Sequence, residues 1–346
     1  AISWGDYFNS LVRGVGIDLP AWLTTGYRTA LLSSNPEVSA LMTTAPQVLG
    51  IPVLLNLPAF GIVMLITWLL LRGAKESVRA NAVMVVIKLV VLALFVFVGL
   101  GNINPGNYTP FAPNVFTGIH QGAAIIFFAY IGFDAISTAA EETKNPQRNL
   151  PIGILGGLAV CTLIYVVIGG VITGMVPYTE LGVADPLARA LELIGYDRVG
   201  LIVAFGAVIS MSAVLLVFQY GQPRIFMAMA RDGLLPKWVA RVDPKTRIPY
   251  AATLVTGVLV AVASAVGDAA ETYDLTNVGT LFAFALVCAG VLVLRVVEPD
   301  RHRPFKVPFV WVVAPLGVAA CLFIMVGLPY HAWERFGLWL SFYPFD

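Results

Sequence analysis

Eight stretches of the chain, at about 52–71, 79–101, 120–140, 151–175, 199–220, 250–267, 277–297 and 308–328, are close to 20 residues long and almost free of charge. A helix rises about 1.5 Å per residue, so about 20 apolar residues cross a hydrocarbon core about 30 Å thick. In lipid every backbone polar group must be paired within the protein, which restricts spanning segments to helices and closed barrels. The strand alternation of a barrel is absent, so the expected fold class is an all-α membrane protein with about eight transmembrane helices. A ninth apolar run, 336–343, is too short and reads as a last helix truncated within 331–346. Composition agrees: 58% of the 346 residues are hydrophobic and only 12% charged, against about 25% charged in soluble domains. The net charge of +1 gives no basic footprint. An ordinary soluble enzyme and a nucleic-acid binder are therefore excluded.

The basic residues set an orientation. Fifteen of the 21 Lys and Arg residues fall in four loops, at 72–79, 141–150, 224–247 and 295–306. Positive loops stay on the cytoplasmic side, which places residues 1–50 outside. Trp4, Tyr7, Trp22 and Tyr27 suit an extracellular, interfacial segment there. No apolar helix precedes residues 1–50 to carry them across, and Ala1–Leu19 is too polar for a signal peptide. This reading expects one or more helices ahead of Ala1. The transmembrane core is expected over 51–330.

Two charges lie well inside the expected spans, Lys88 and Asp134. A charge near the bilayer centre costs about 2.5–3.5 kcal/mol on insertion scales, so such residues face protein or water and mark function. Lys88 lies nine residues past Arg79, ~14 Å deep by helical rise, too deep for easy snorkelling. A desolvated lysine titrates readily, which suits a proton switch. Asp134, Ser137, Thr138 and Glu141 share one helical face. That stripe is either a helix–helix hydrogen-bonding seam or the wall of a polar site. Gly132, just before Asp134, marks a candidate helix break, the device by which transporters expose backbone carbonyls at mid-membrane. Ser210-Met211-Ser212 places two hydroxyls inside 199–220, equally suited to cross-helix bonding and to holding a cation.

Other chemistry finds little support. Cys161, Cys288 and Cys321 lie singly in apolar runs, and the three histidines lie apart at segment edges without an HExxH pair, so neither metal nor cofactor is expected. Aspartyl intramembrane proteolysis needs two membrane aspartates, and the serine type needs a membrane histidine. The spans offer one aspartate and no histidine in their interiors, so no catalytic residue is assigned.

The run Phe127-Phe-Ala-Tyr-Ile-Gly-Phe-Asp134, followed by Ser137-Thr-Ala-Ala-Glu-Glu-Thr-Lys-Asn-Pro146 and Pro151, resembles the sixth helix and following loop of the amino acid–polyamine–organocation superfamily. Arg72-Gly-Ala-Lys-Glu-Ser77 through Lys88, Gly221–Ile225 through Met229–Pro236, and Arg303–Pro308 agree in order with its fifth, eighth and eleventh helices and their loops. The pattern is most similar to the cationic amino acid transporter branch and covers nearly the whole chain. The resemblance implies a leucine-transporter-like inverted-repeat fold, incomplete here. The eight spans would be helices four to eleven, the first three being absent, and the second half-repeat would occupy 117–297.

The resemblance also implies roles. Backbone carbonyls around Phe128, Ala129 and Ile131 would bind the substrate ammonium, Phe133 would gate the site, and Asp134 would polarise it or contact a polar substrate group. Met211 would shape the side-chain pocket. Lys88, with Ser210 and Ser212, would occupy the cation position of proton-driven members. The expected function is a proton-coupled amino acid permease of a bacterial plasma membrane, working by alternating access. Its partners are a small amino acid substrate, protons and the lipid bilayer; a small membrane subunit is left open. The alternatives are an amino acid or polyamine exchanger of the same fold, and a non-transporting fragment, because the helix that would bind the substrate carboxylate is absent.

Overall fold

The computed structural model describes residues 1–33, 35–72, 77–133, 143–183, 185–243, 248–303 and 305–341. The described residues are mostly helical, as a lipid environment requires. In order it forms α1 (Ile2–Gly14), α2 (Tyr27–Leu32), α3 (Pro36–Ser39), α4 (Leu41–Thr44), a hairpin of β1 (Gln47–Val48) and β2 (Ile51–Pro52), α5 (Leu57–Leu71) and α6 (Ser77–Leu100). There follow α7 (Val115–Ile126), α8 (Pro146–Met175), α9 (Pro186–Leu193), α10 (Asp197–Arg231), α11 (Tyr250–Val266), α12 (Ala269–Val297), α13 (Val310–Val326) and α14 (Tyr330–Ser341). The hairpin is antiparallel, with Gln47 opposite Pro52 and Val48 opposite Ile51.

Among the described residues four helical stretches are long and apolar enough to cross a membrane: Ala82–Leu100, Pro146–Met175, Asp197–Arg231 and Ala269–Val297. α13 and α14 together make a further one, bent by 116°. The other expected spans fall on shorter apolar helices. α5 has 15 residues, ~22 Å of rise against a core of about 30 Å, and α11 has 17. The expected span 120–140 is α-helical only to Ile126, and its last part lies outside the described residues.

Two compact units divide the chain. Unit 1 joins Ala1–Tyr108 to Val167–Ala269, and unit 2 joins Thr109–Val166 to Ala270–Asp346. In unit 1, α5 packs on α11, and α6, α9 and α1 pack on α10. These contacts are close because glycines face bulky neighbours. A β-carbon at Gly206 would lie 2.6 Å from Val91 Cγ2, and one at Gly257 would lie 2.3 Å from Thr67 Oγ1. With no hydrophobic drive between helices in lipid, association rests on such close van der Waals contact. Phe95, Val171, Ile172, Met175, Leu191 and Val203 form one buried cluster of this unit.

Asn56 ties three parts of unit 1 together. Its side chain caps α5 by accepting from the Ala59 N–H at 3.0 Å, its own N–H donates to the Ala265 carbonyl at the end of α11, and Gly5 of α1 lies against its amide. The expected interfacial segment splits in two. Trp4 and Tyr7 are buried on the helices of unit 1, both 8% exposed, whereas Trp22 and Tyr27 pack loosely around Ala30, Ala45 and Leu54. Near Tyr7, burial pushes the Asp6 carboxyl up from the ordinary 3.8 to about 6, with repulsion from Asp185 adding to it.

Unit 2 centres on Ala124 of α7, Val278 and Leu281 of α12, Met325 of α13, and Ala332 and Phe336 of α14. α7 also meets α13 closely. His120 Nε2 lies 2.6 Å from the Phe323 carbonyl. A carbonyl only accepts, so Nε2 carries the proton there.

Candidate functional site

The residues expected to form the site divide between the units. Phe128, Ala129, Ile131 and Phe133 belong to unit 2; Lys88, Ser210, Met211 and Ser212 belong to unit 1. Asp134 lies outside the described residues, together with Ser137, Thr138 and Glu141.

The α-helical geometry of α7 ends at Ile126. The chain tightens into a 3₁₀ turn at Phe127–Tyr130, Ile131 turns extended (φ −63°, ψ 131°), and Gly132 takes φ 129°. That last conformation is strained for any residue with a β-carbon, so glycine permits the exit from the helix. Each change of winding removes the usual i−4 partner from a carbonyl, and buried polar groups in a membrane need a replacement. Ile131 N–H donates to the Phe128 carbonyl at 3.2 Å. The Tyr165 hydroxyl of α8 donates to the Ala129 carbonyl at 2.7 Å. For the Ile131 carbonyl no donor is found among the described residues.

One turn earlier, Asn277 of α12 supplies a second replacement. Its Nδ2 donates to the carbonyls of Ala124 (3.1 Å) and Ile125 (3.2 Å), the last two positions before the α-helix ends. Asn277 is fully buried, and its Oδ1 has no partner among the described residues. Turning the amide over would set that oxygen against two carbonyl oxygens, so the assignment is fixed by its surroundings.

Aromatic rings surround the break. Phe128 lies 4.3 Å from Tyr273, Tyr130 meets Tyr165 edge-on at 5.2 Å, and Phe133 packs on Phe284 at 5.2 Å. Tyr273 and Phe284 both come from α12. The same helix joins α14 through the Glu271–Arg335 ion pair and a hydrogen bond between His331 Nε2 and the Asp274 carboxylate at 3.2 Å. Sequence reading missed Asn277, Glu271 and Asp274. The expected span began at 277, which put both acids in a loop. The available signal was spacing: Glu271, Asp274 and Asn277 recur every three residues, and His331 and Arg335 lie four apart, so each set shares a helical face.

In unit 1, α6 and α10 run antiparallel. Phe95 clusters with Val203, and Val91 lies against Gly206. The next turn back along α6 brings Lys88 level with Ser210 by the same register. Lys88 is partly buried. The Ser212 hydroxyl donates to the Val208 carbonyl of its own helix at 2.8 Å and accepts from Trp4 Nε1 at 2.8 Å. It keeps one free lone pair. Met211 packs among the side chains around Trp4, Tyr7 and Ala204. Among the described residues no group of three His, Cys, Asp or Glu side chains could hold a metal ion.

An apolar helix that ends inside an expected span and leaves carbonyls to donors from elsewhere is a device found in secondary transporters. The amino acid permease family model matches residues 6–337, and the chain belongs to that family. It is 40% identical over 341 residues to the methylthioribose transporter of Bacillus subtilis, covering 99% of this chain and 70% of that one. It is 42% identical over 342 residues to the branched-chain amino acid permease BcaP of the same organism, covering 98% and 70%. It is 39% identical over 260 residues to the vacuolar cationic amino acid transporter 4 of Arabidopsis thaliana, covering 72% and 43%. The chain is therefore a multi-pass membrane protein of a transporter family and not an enzyme.

Proposed function

We propose that this protein carries amino acids across a bacterial plasma membrane by alternating access, in a leucine-transporter-like fold, with proton coupling at Lys88. The observation that carries the reading is the end of the α-helix at Ile126, which frees backbone acceptors within an apolar segment. Carbonyl oxygens carry partial negative charge and suit the substrate α-ammonium. Phe128, Ala129 and Ile131 supply them, and Phe133, packed on Phe284, is the gate. Asp134 polarises the site or meets a polar substrate group, and Met211 shapes the side-chain pocket. Lys88, level with Ser210, takes up and releases the proton, while Ser212 lies two positions further along α10 on a different face. A second reading is a substrate without an ammonium, favoured by the 40% identity to a methylthioribose transporter, since that thiosugar is uncharged.

The test is uptake of radiolabelled amino acids and of methylthioribose into liposomes holding the full-length gene product under an imposed pH gradient. Accumulation of at least one amino acid, lost when the gradient is dissipated, is expected. Uptake of no amino acid overturns the reading. Counterflow at equal pH separates exchange from symport. Lys88→Ala is expected to abolish the pH dependence of uptake, and an unchanged pH profile removes Lys88 from the mechanism.

A further inference from the structure

The carbonyls freed by the break are not equivalent. That of Phe128 is turned inward to its own chain, whereas that of Ala129 already holds a side-chain donor from another helix, the Tyr165 hydroxyl at 2.7 Å. Tyr165 is held at this place by a second contact, the edge-on packing of its ring against Tyr130 at 5.2 Å and 84°. We infer that the Tyr165 hydroxyl is an internal stand-in for the substrate ammonium, occupying the Ala129 carbonyl in the empty carrier and displaced when an ammonium arrives. The inference rests on the proposed binding of the ammonium at this carbonyl, and it adds the residue that guards it.

The physical case has three parts. An acceptor left bare inside a membrane protein is costly, so an empty site needs a donor of its own. A phenol is a neutral donor, and a hydrogen bond from a cation is roughly twice as strong, so an ammonium wins the exchange. The exchange also discriminates. A ligand that keeps the carboxylate and side chain but brings no donor gains nothing at Ala129 and leaves Tyr165 in place, so only the amine-bearing ligand opens this contact. The released hydroxyl is not stranded, because Tyr165 is only partly buried.

The test compares the wild-type protein with Tyr165→Phe, which keeps the ring against Tyr130 and removes only the hydroxyl. Binding of leucine and of its amine-free analogue 4-methylpentanoate is measured on purified full-length protein, after a panel of the common amino acids has identified a binder to replace leucine if leucine is not bound. Losing a competing hydrogen bond of about 0.5–1.5 kcal/mol corresponds to binding tighter by about 2- to 12-fold for the amino acid. The amine-free analogue is expected to change by less than about twofold, since it never competed with Tyr165. Tyr165→Met, which also lacks a donor, is expected to shift amino acid binding in the same direction and replaces the first variant if that one fails to fold. Unchanged or weaker amino acid binding in the folded variant overturns the stand-in while leaving the transport reading intact. An equal gain for the amine-free analogue overturns it as well, because that outcome reports a general loosening. A wild-type protein that binds no amino acid overturns the transport reading, and the stand-in with it.

Discussion

α10 in unit 1 carries expected site residues and α7 in unit 2 leads straight into others, and the two apolar helices treat polar groups in opposite ways. α10 continues unbroken for 35 residues, even through Pro223. Its Ser212 hydroxyl serves the Val208 carbonyl of its own helix, as Thr67 serves Val63 in α5 and Thr256 serves Ala252 in α11. α7 gives up its α-helical geometry after 12 residues, and side chains from two other helices serve the carbonyls there, Asn277 at the end of α7 and Tyr165 in the turn that follows. A hydroxyl on an intact membrane helix is thus first a local hydrogen-bond donor, and its presence says little about ligands. A break is different. It creates acceptors that the helix itself cannot satisfy, and the residues that answer them come from far away in sequence.

The contrast can be broken at its packed end first. Gly257→Val in unit 1 drives a branched side chain into Thr67, where even a β-carbon has no room. A loss of about 3 kcal/mol is expected, read as a lower thermal midpoint in detergent. A variant as stable as wild type would show that close packing does not hold unit 1. At the polar end, Asn277→Ala leaves the Ala124 and Ile125 carbonyls without their donor. About 2–3 kcal/mol should be lost, with substrate affinity falling in parallel. Asn277→Leu with full binding would mean that the break needs no outside donor.

Asp6 offers a test of opposite sign. Its folded pKa of about 6 lies above the ordinary 3.8, so the folded state holds the proton more tightly than the unfolded one. Stability should therefore be undiminished below pH 3.8, fall as pH rises through about 6, and stay reduced above. Asp6→Asn should raise stability at pH 7 by about 2 kcal/mol and flatten that pH dependence. A steeper dependence in the variant would contradict the assignment. The smallest effect concerns the Glu271–Arg335 pair between α12 and α14. A double-mutant cycle with Glu271→Gln and Arg335→Met should give a coupling of about 1 kcal/mol that shrinks with added salt. A salt-independent coupling would point to packing rather than charge.

Much of the outline was legible in the sequence, because hydropathy over about 20 residues is a local property and each expected stretch holds a helix over at least part of its length. Gly132 marked a change in winding near Asp134, and its backbone is indeed at φ 129°, but the α-helix already ends at Ile126, six residues earlier. Lys88 and Asp134 stand out in the sequence for an equally local reason, as charges in apolar runs, and their roles are proposals. Asn277 was not legible, because a single uncharged amide inside Leu275-Thr-Asn-Val-Gly-Thr-Leu-Phe282 looks like any polar residue tolerated in a span. Trp4 read as an interface anchor, yet its indole bonds to α10, 204 residues away in sequence at Val208.

The amino-acid sequence by itself determined the solvent of this protein, the approximate positions of its helices, its family and the segment in which one helix ends. Those are consequences of composition and short-range pattern. Only the tertiary structure decided which donors answer the carbonyls exposed there. A hydrogen bond between Asn277 and Ala124, or between Tyr165 and Ala129, depends on the approach of separate helices, and that approach is set by packing rather than by anything local to either residue.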